Sequence, residues 1–161
     1  MKNKITDKLF ELAYTDSMTE VQNRNAYEER LKKLRKPNAN ISRITVIVVD
    51  VNGLKEINDS YGHFCGDDAI KTVAKALRDT IGLKSDIYRI GGDEFVCISE
   101  SNVLPYISQF KDTVYFINNE KLYNLSVSIG YSRFHEKYSK VIDDIICRAD
   151  EKMYKDKKSK K

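Results

Sequence analysis

Between Ile44 and Val49 the chain gathers five aliphatic residues around Thr45 and then stops at Asp50. An unbroken β-branched run predicts a central strand covered on both faces, because a half-exposed strand would alternate apolar with polar residues. The rest of the chain must therefore supply two covering layers. Its 161 residues suffice for one such core but not for two full domains. With 41% hydrophobic and 32% charged residues, 7 Gly and 2 Pro, the composition excludes a disordered, collagen-like or low-complexity chain. The same run is the longest apolar stretch, far short of the roughly 18 residues that cross a bilayer. Met1-Lys2-Asn3 lacks the apolar stretch of a signal peptide, so a cytoplasmic chain without a membrane partner is expected. Cys65, Cys97 and Cys147 are odd in number and form no CxxC, which reads as three reduced packing residues rather than a disulfide or zinc framework.

The net charge of +4 is local. Residues 155–161 hold five lysines and one aspartate, leaving 23 of the 28 basic and 23 of the 24 acidic residues in the remainder. A balanced body has no basic stripe of the kind that binds nucleic acid.

Around the central run the periodicities are clear. Ile5, Leu9 and Leu12 predict an amphipathic helix over 4–14, ending before Asp16. Asn23 reads as the N-cap of a second helix through Tyr27, Leu31 and Leu34 that stops before Pro37. Residues 55–60 are weakly helical, Tyr61-Gly62-His63 is a turn, and Ile70, Val73, Ala74, Leu77 and Ile81 mark a strong helix with Asp67 at its start. Ile87 to Ile90 and Phe95 to Ile98 read as a hairpin turned by Gly91 and Gly92. Ser101 is the expected cap of a helix carrying Ile107, Phe110, Val114 and Ile117, with Pro105 in its first turn. Leu125, Val127, Ile129 and Tyr131 alternate with small polar residues as a half-buried strand, and Ile142 to Met153 carries the last helix.

The order from Ile44 to Tyr131 is β-α-β-β-α-β, which predicts an α+β, ferredoxin-like core with two N-terminal helices and one C-terminal helix. In that topology the first strand runs antiparallel to the third, so Asp50, closing one, meets Asp93 and Glu94, opening the other. Clustered carboxylates raise one another's pKa unless a cation sits among them. Oxygen-only ligands favour Mg²⁺, and one or two such ions would organise phosphoryl or nucleotidyl transfer. An ordinary acidic surface hairpin is the bland alternative.

The residues also carry a family resemblance. Arg89-Ile90-Gly91-Gly92-Asp93-Glu94-Phe95 contains the name motif of the GGDEF family. Asp50 to Asp59 resembles its DxDxFKxxND, Tyr61 to Asp67 its YGHxxGD, Asp16-Ser17-Met18-Thr19 its DxLT, and Ser126 to Gly130 with Arg148-Ala149-Asp150 its last strand and helix. The resemblance spans residues 16–161, leaving 1–15 as a helix or linker toward a regulatory region supplied elsewhere. It implies a palm-like nucleotidyl cyclase fold and a diguanylate cyclase that condenses two GTP into cyclic di-GMP and two pyrophosphates. Mg²⁺ or Mn²⁺ is the implied cofactor, and a homodimer, transient in the isolated domain, would face its two half-sites together.

Carried over, the resemblance implies metal ligands at the Asp50 carboxylate, the Val51 carbonyl and Asp93, with Glu94 nearby, and places the base for the ribose 3′-hydroxyl at Asp93. Gly53 and Leu54 would offer backbone N–H groups to a triphosphate and Lys55 a point charge. Asn58 and Asp67 would hold the guanine edge, although Asp67 read alone could cap its helix and Asn58 could end one. His63 would support the turn, and Lys157 and Lys161 would meet phosphates. Asn52 replaces the second Asp of DxD. Met18, Glu20 and Val21 stand where DxLTGL has Leu, Gly and Leu. Lys161 stands where the family has Arg, and Gly82 and Ser85 occupy its inhibitory RxxD positions. A catalytically silent GTP-binding module is the alternative these departures leave open. A purely structural dimerisation domain fits less well because Asp50, Asn58, Asp67 and Asp93 are all present, and a polymerase palm would need fingers and a basic groove.

Overall fold

The structure, a computed structural model, describes residues 2–160, with side chains from residue 8 onward. The elements are α1 (Lys2–Tyr14), α2 (Arg24–Leu34), β1 (Thr45–Val51), α3 (Leu54–Tyr61), α4 (His63–Asp79), β2 (Asp86–Arg89), β3 (Glu94–Ser99), α5 (Leu104–Asn118), β4 (Val127–Arg133) and α6 (Ile142–Ser159). The sheet order is β2-β3-β1-β4 with every pair antiparallel, which is the ferredoxin-like core expected from the element order.

All seven residues of β1 are buried. Ile47, Val49 and Val51 enter a core completed by Ile57 of α3, Ile70, Val73 and Leu77 of α4, and Ile107 and Phe110 of α5. Val46 and Val48 enter a second core with Tyr27 and Leu31 of α2 and Ile145, Ala149 and Met153 of α6. Each successive residue thus serves the opposite layer, which is why the strand is apolar without alternation.

Three local expectations are corrected. Ser101 does not cap α5: its N–H donates to Ser99 Oγ at 3.0 Å, and the cap position falls on Val103 with Pro105 in the first turn. The half-buried alternation of β4 gives way to burial of Val127 through Gly130, because α6 lies so close along the strand that a Cβ on Gly130 would lie 2.1 Å from Met153 N. Leu9 and Leu12 of α1, with Phe10, are exposed rather than packed on the domain, and the side chain of Ile5 lies outside the described residues. The β2–β3 hairpin forms where expected, with neither Gly91 nor Gly92 at a positive φ. A Cβ on Gly91 would meet Glu94 Oε2 at 2.7 Å, the movable end of a side chain.

Both edges of the sheet are occupied. On the β2 side, Gln22 N donates to Ile87 O and Arg89 N to Gln22 O, at 3.0 and 2.8 Å. On the β4 side, α6 reaches back along the strand. Lys160 Nζ donates to Val127 O at 2.7 Å, Lys152 Nζ to Tyr131 O at 3.0 Å and Arg148 Nη2 to Arg133 O at 3.0 Å, while Asp156 accepts from Ile129 N at 2.9 Å. Among the described residues no helix is long and apolar enough to cross a membrane.

Candidate active site

Register places the acids. Asp50 lies directly across from Glu94, and one residue on, Val51 N donates to Asp93 O at 2.9 Å. The three carboxylates therefore approach at the end of the two central strands, as the topology required. Among the described residues, however, no three acidic, His or Cys side chains are grouped to hold a metal ion by themselves. A fourth donor type, such as the Val51 carbonyl, or a substrate oxygen would have to complete any coordination shell.

Asp50 is only 4% exposed. Lys157 of α6 brings its ammonium to 2.8 Å from Oδ1 and 2.9 Å from Oδ2, but only Oδ2 receives a well-directed hydrogen bond, and Oδ1 is buried without one. Burial raises the Asp50 carboxyl above its ordinary value despite Lys157, and the Asp93 charge adds to the rise. Glu94 is raised by burial first and then by Asp93, Asp50 and Asp150. Lys157 is raised in turn, chiefly by its hydrogen bond to Asp50, with burial opposing. One ammonium facing several acids leaves the site short of positive charge, and an orphaned buried oxygen of a hard carboxylate suits Mg²⁺ or Mn²⁺.

Beside these acids opens a groove of 610 Å³ whose wall includes Val51, Gly53, Leu54, Lys55, Asp93 and Lys157. Gly53 sits at φ 64°, a left-handed conformation that turns the chain sharply out of β1 into α3 and aims the first N–H groups of that helix at the groove. These N–H groups, Lys55 and Lys157 give the groove a wall of hydrogen-bond donors, with the Glu56 carboxylate among them, next to the acidic end of the sheet.

Other sequence-predicted residues lie off this lining. Asn58 and Asp67 sit on neighbouring α3 and α4, and Gly66 holds them together: a Cβ there would fall 2.0 Å from Asn58 Oδ1. The capping roles are ruled out, since α4 begins at His63 behind Gly62 and Asn58 lies inside α3. His63 is exposed at the first position of α4. Lys161 lies outside the described residues.

Sequence reasoning missed several contributors. Ser60, Tyr61, Asn124, Ser126 and Lys160 also line the groove; Lys160 carried a signal, being one helical turn beyond Lys157. Asn52 accepts from Ser128 Oγ at 2.7 Å and donates to Ser126 Oγ at 3.1 Å, so the residue that departs from DxD ties the loop after β1 to β4. Asp68 accepts from both Lys121 Nζ and Tyr123 OH at 2.6 Å, and Tyr123 rests against Tyr61 with ring centroids 6.2 Å apart. That network pins the α3–α4 pair to the segment leading into β4.

Arg89 links the hairpin to the turn after α1. It donates to Asp16 Oδ1 and Oδ2 at 3.1 and 3.3 Å and to Gly92 O at 2.8 Å. Asp16 also accepts from Thr19 N and Oγ1 at 2.9 and 2.6 Å. Burial works against the Asp16 charge, but the bonds from Thr19 and Arg89 outweigh it and hold the carboxyl below its ordinary value.

Fold and register together define a ferredoxin-like α+β domain with acidic residues at one end of its two central strands. Residues 13–161 match the family model described as "Diguanylate cyclase, GGDEF domain", and the chain belongs to the GGDEF family. It is 33% identical over 153 residues to the probable diguanylate cyclase DgcI of Escherichia coli, covering 94% of this chain and 33% of that protein. It is 30% identical over 171 residues to a diguanylate cyclase of Vibrio cholerae, covering 97% of this chain and 50% of that one. The chain thus spans a third to a half of the length of these two relatives. In fold it is similar to the coiled coil and GGDEF domain of DgcB from Caulobacter crescentus, solved in complex with c-di-GMP, with a TM-score of 0.80 at 21% identity over 98% of this chain and 87% of that one.

Proposed function

We propose that the chain is a diguanylate cyclase, joining two GTP into cyclic di-GMP with release of two pyrophosphates. The observation that carries this reading is the buried Asp50 carboxylate, with one oxygen lacking a well-directed hydrogen bond, beside a groove lined by Lys55, Lys157 and the start of α3; it supports a hard cation next to phosphates. Asp50, the Val51 carbonyl, Asp93 and Glu94 would hold Mg²⁺ or Mn²⁺, which when bound neutralises phosphate charge and lowers the pKa of a neighbouring hydroxyl. The N–H groups opening α3, with Lys55 and Lys157, bind and orient the triphosphate. Asp93 accepts the proton of the ribose 3′-hydroxyl as that oxygen attacks the α-phosphate of the second nucleotide. Asn58 and Asp67 accept and donate hydrogen bonds along the guanine edge, where a carboxylate matches two adjacent donors that adenine lacks. Each chain supplies half of the reaction, so two must meet face to face, under the control of a regulatory region outside these residues.

Incubating the protein with GTP and Mg²⁺ at high protein concentration should yield cyclic di-GMP, resolved chromatographically, and Asp93→Ala should abolish it with circular dichroism unchanged. Full product from Asp93→Ala would overturn the assignment. A silent GTP-binding module, which the lack of a ready three-carboxylate group among the described residues favours, would bind GTP with no product from either protein.

A further inference from the structure

Lys157 stands where a cation belongs. Its ammonium touches both oxygens of a carboxylate that is almost wholly buried, and Asp93 and Glu94 are the other charges that face it. We propose that Lys157 is a built-in competitor for the divalent cation, neutralising Asp50 in the nucleotide-free chain and transferring to the nucleotide's phosphates when the cation arrives. The inference rests on Asp50 being a metal ligand. A dication at about 2.0 to 2.6 Å from an Asp50 oxygen would lie within a few ångströms of the ammonium, and their repulsion sets the two in competition for the carboxylate. The pairing is also incomplete, with only one oxygen properly hydrogen-bonded, so leaving it forfeits less than a bidentate contact would.

Lys157 has somewhere to go. Its side chain is 33% exposed and lines the same groove as Gly53, Leu54 and Lys55, so rotation of its own stem redirects the charge. The helix end need not move, because Lys160 and Asp156 tether it to Val127 O and Ile129 N. A consequence is that the cation alone binds poorly and that nucleotide, by giving Lys157 a new partner, raises the affinity for it; the coupling is reciprocal.

The test uses Mn²⁺ alone, titrated into the nucleotide-free protein and followed by electron paramagnetic resonance. Lys157→Met should bind Mn²⁺ about tenfold more tightly than wild type, since a hydrogen-bonded charge competing at the ligand is gone. The same variant should bind a non-hydrolysable GTP analogue more weakly in saturating Mn²⁺, an opposite sign that a merely structural lysine would not give. Lys157→Gln, which keeps a polar end beside Asp50, should shift both affinities the same way should the Met variant be unstable. Equal Mn²⁺ affinity in wild type and both variants overturns the proposal. Asp50→Asn separates the two levels: loss of Mn²⁺ binding with no effect of Lys157 leaves the metal reading standing and this inference refuted, whereas unchanged Mn²⁺ binding in Asp50→Asn removes both.

Discussion

Glu20 is the one non-glycine residue among those described with a positive φ, 62°. It stands where the resembled motif has glycine, so an apparent departure in sequence is a glycine-like backbone carried by a side chain that disfavours it. A left-handed non-glycine residue costs about 1 kcal/mol. Its carboxylate recovers little of this, being 80% exposed and 3.9 Å from Arg78. Glu20→Gly should therefore stabilise the protein by about 0.5 to 1 kcal/mol, raising Tm by about 1 to 4 °C; a lower Tm in a thermal melt would refute this. Nearby, Asp16 titrates below its ordinary 3.8, so its charge stabilises the fold at neutral pH and that gain is lost as pH falls through the depressed folded value. Asp16→Asn should cost about 1 to 3 kcal/mol at pH 7 by urea unfolding. The gap to wild type should close as pH falls below 3.8. A gap constant through that range would mean that packing, not charge, was lost.

At the level of elements, the contact between β4 and α6 governs the site. A Cβ on Gly130 would lie 2.1 Å from Met153 N and 2.2 Å from Ala149 O, both backbone atoms with no rotamer to yield. Gly130→Ala should push α6 outward at a cost of about 1 to 3 kcal/mol or more. It should also weaken nucleotide binding, because Lys157 rides on that helix; calorimetry with GTP and urea melts of the same protein check both effects. How far the elements were legible follows the same physics. The strand run, the 3.6-residue stripes and the Asn23 cap, whose side chain accepts from Ala26 N at 3.1 Å, are written locally, and the meeting of Asp50 with Glu94 follows from strand order alone. What was missed depends on partners distant in sequence. Tertiary context took Ser101 away from capping, the helix lying along β4 buried Ser128 and Gly130, and Lys157 turned to Asp50 from 107 residues away. The exposed face of α1 has the periodicity of a packed helix, and periodicity cannot say against what it packs.

For the molecule as a whole, the proposed reaction needs two copies, since in that reading each chain holds one of the two nucleotides. Specific activity should rise with protein concentration at fixed GTP until chains are paired; a flat profile across a hundredfold range would contradict the half-site reading. Product control should be weak. Gly82 and Ser85 offer no charge, Ser85 Oγ is spent on Ile81 O at 2.6 Å, and a Cβ on Gly82 would already press on Ile87 and Leu77. Progress curves should therefore run without strong inhibition by cyclic di-GMP, and a submicromolar product site surviving mutation of Asn58 and Asp67 would overturn that.

The closure of both sheet edges bears on how such pairing takes place. An unpaired strand recruits others by extending its ladder, the route to strand exchange and fibrils. Here the backbone of β2 is engaged by Gln22, and the outward groups of β4 by Lys152, Asp156, Lys160 and Arg148. Copies of this chain are thereby steered away from joining sheet to sheet, so the pairing that the proposed reaction requires would run through side chains, without seeding an ordered aggregate.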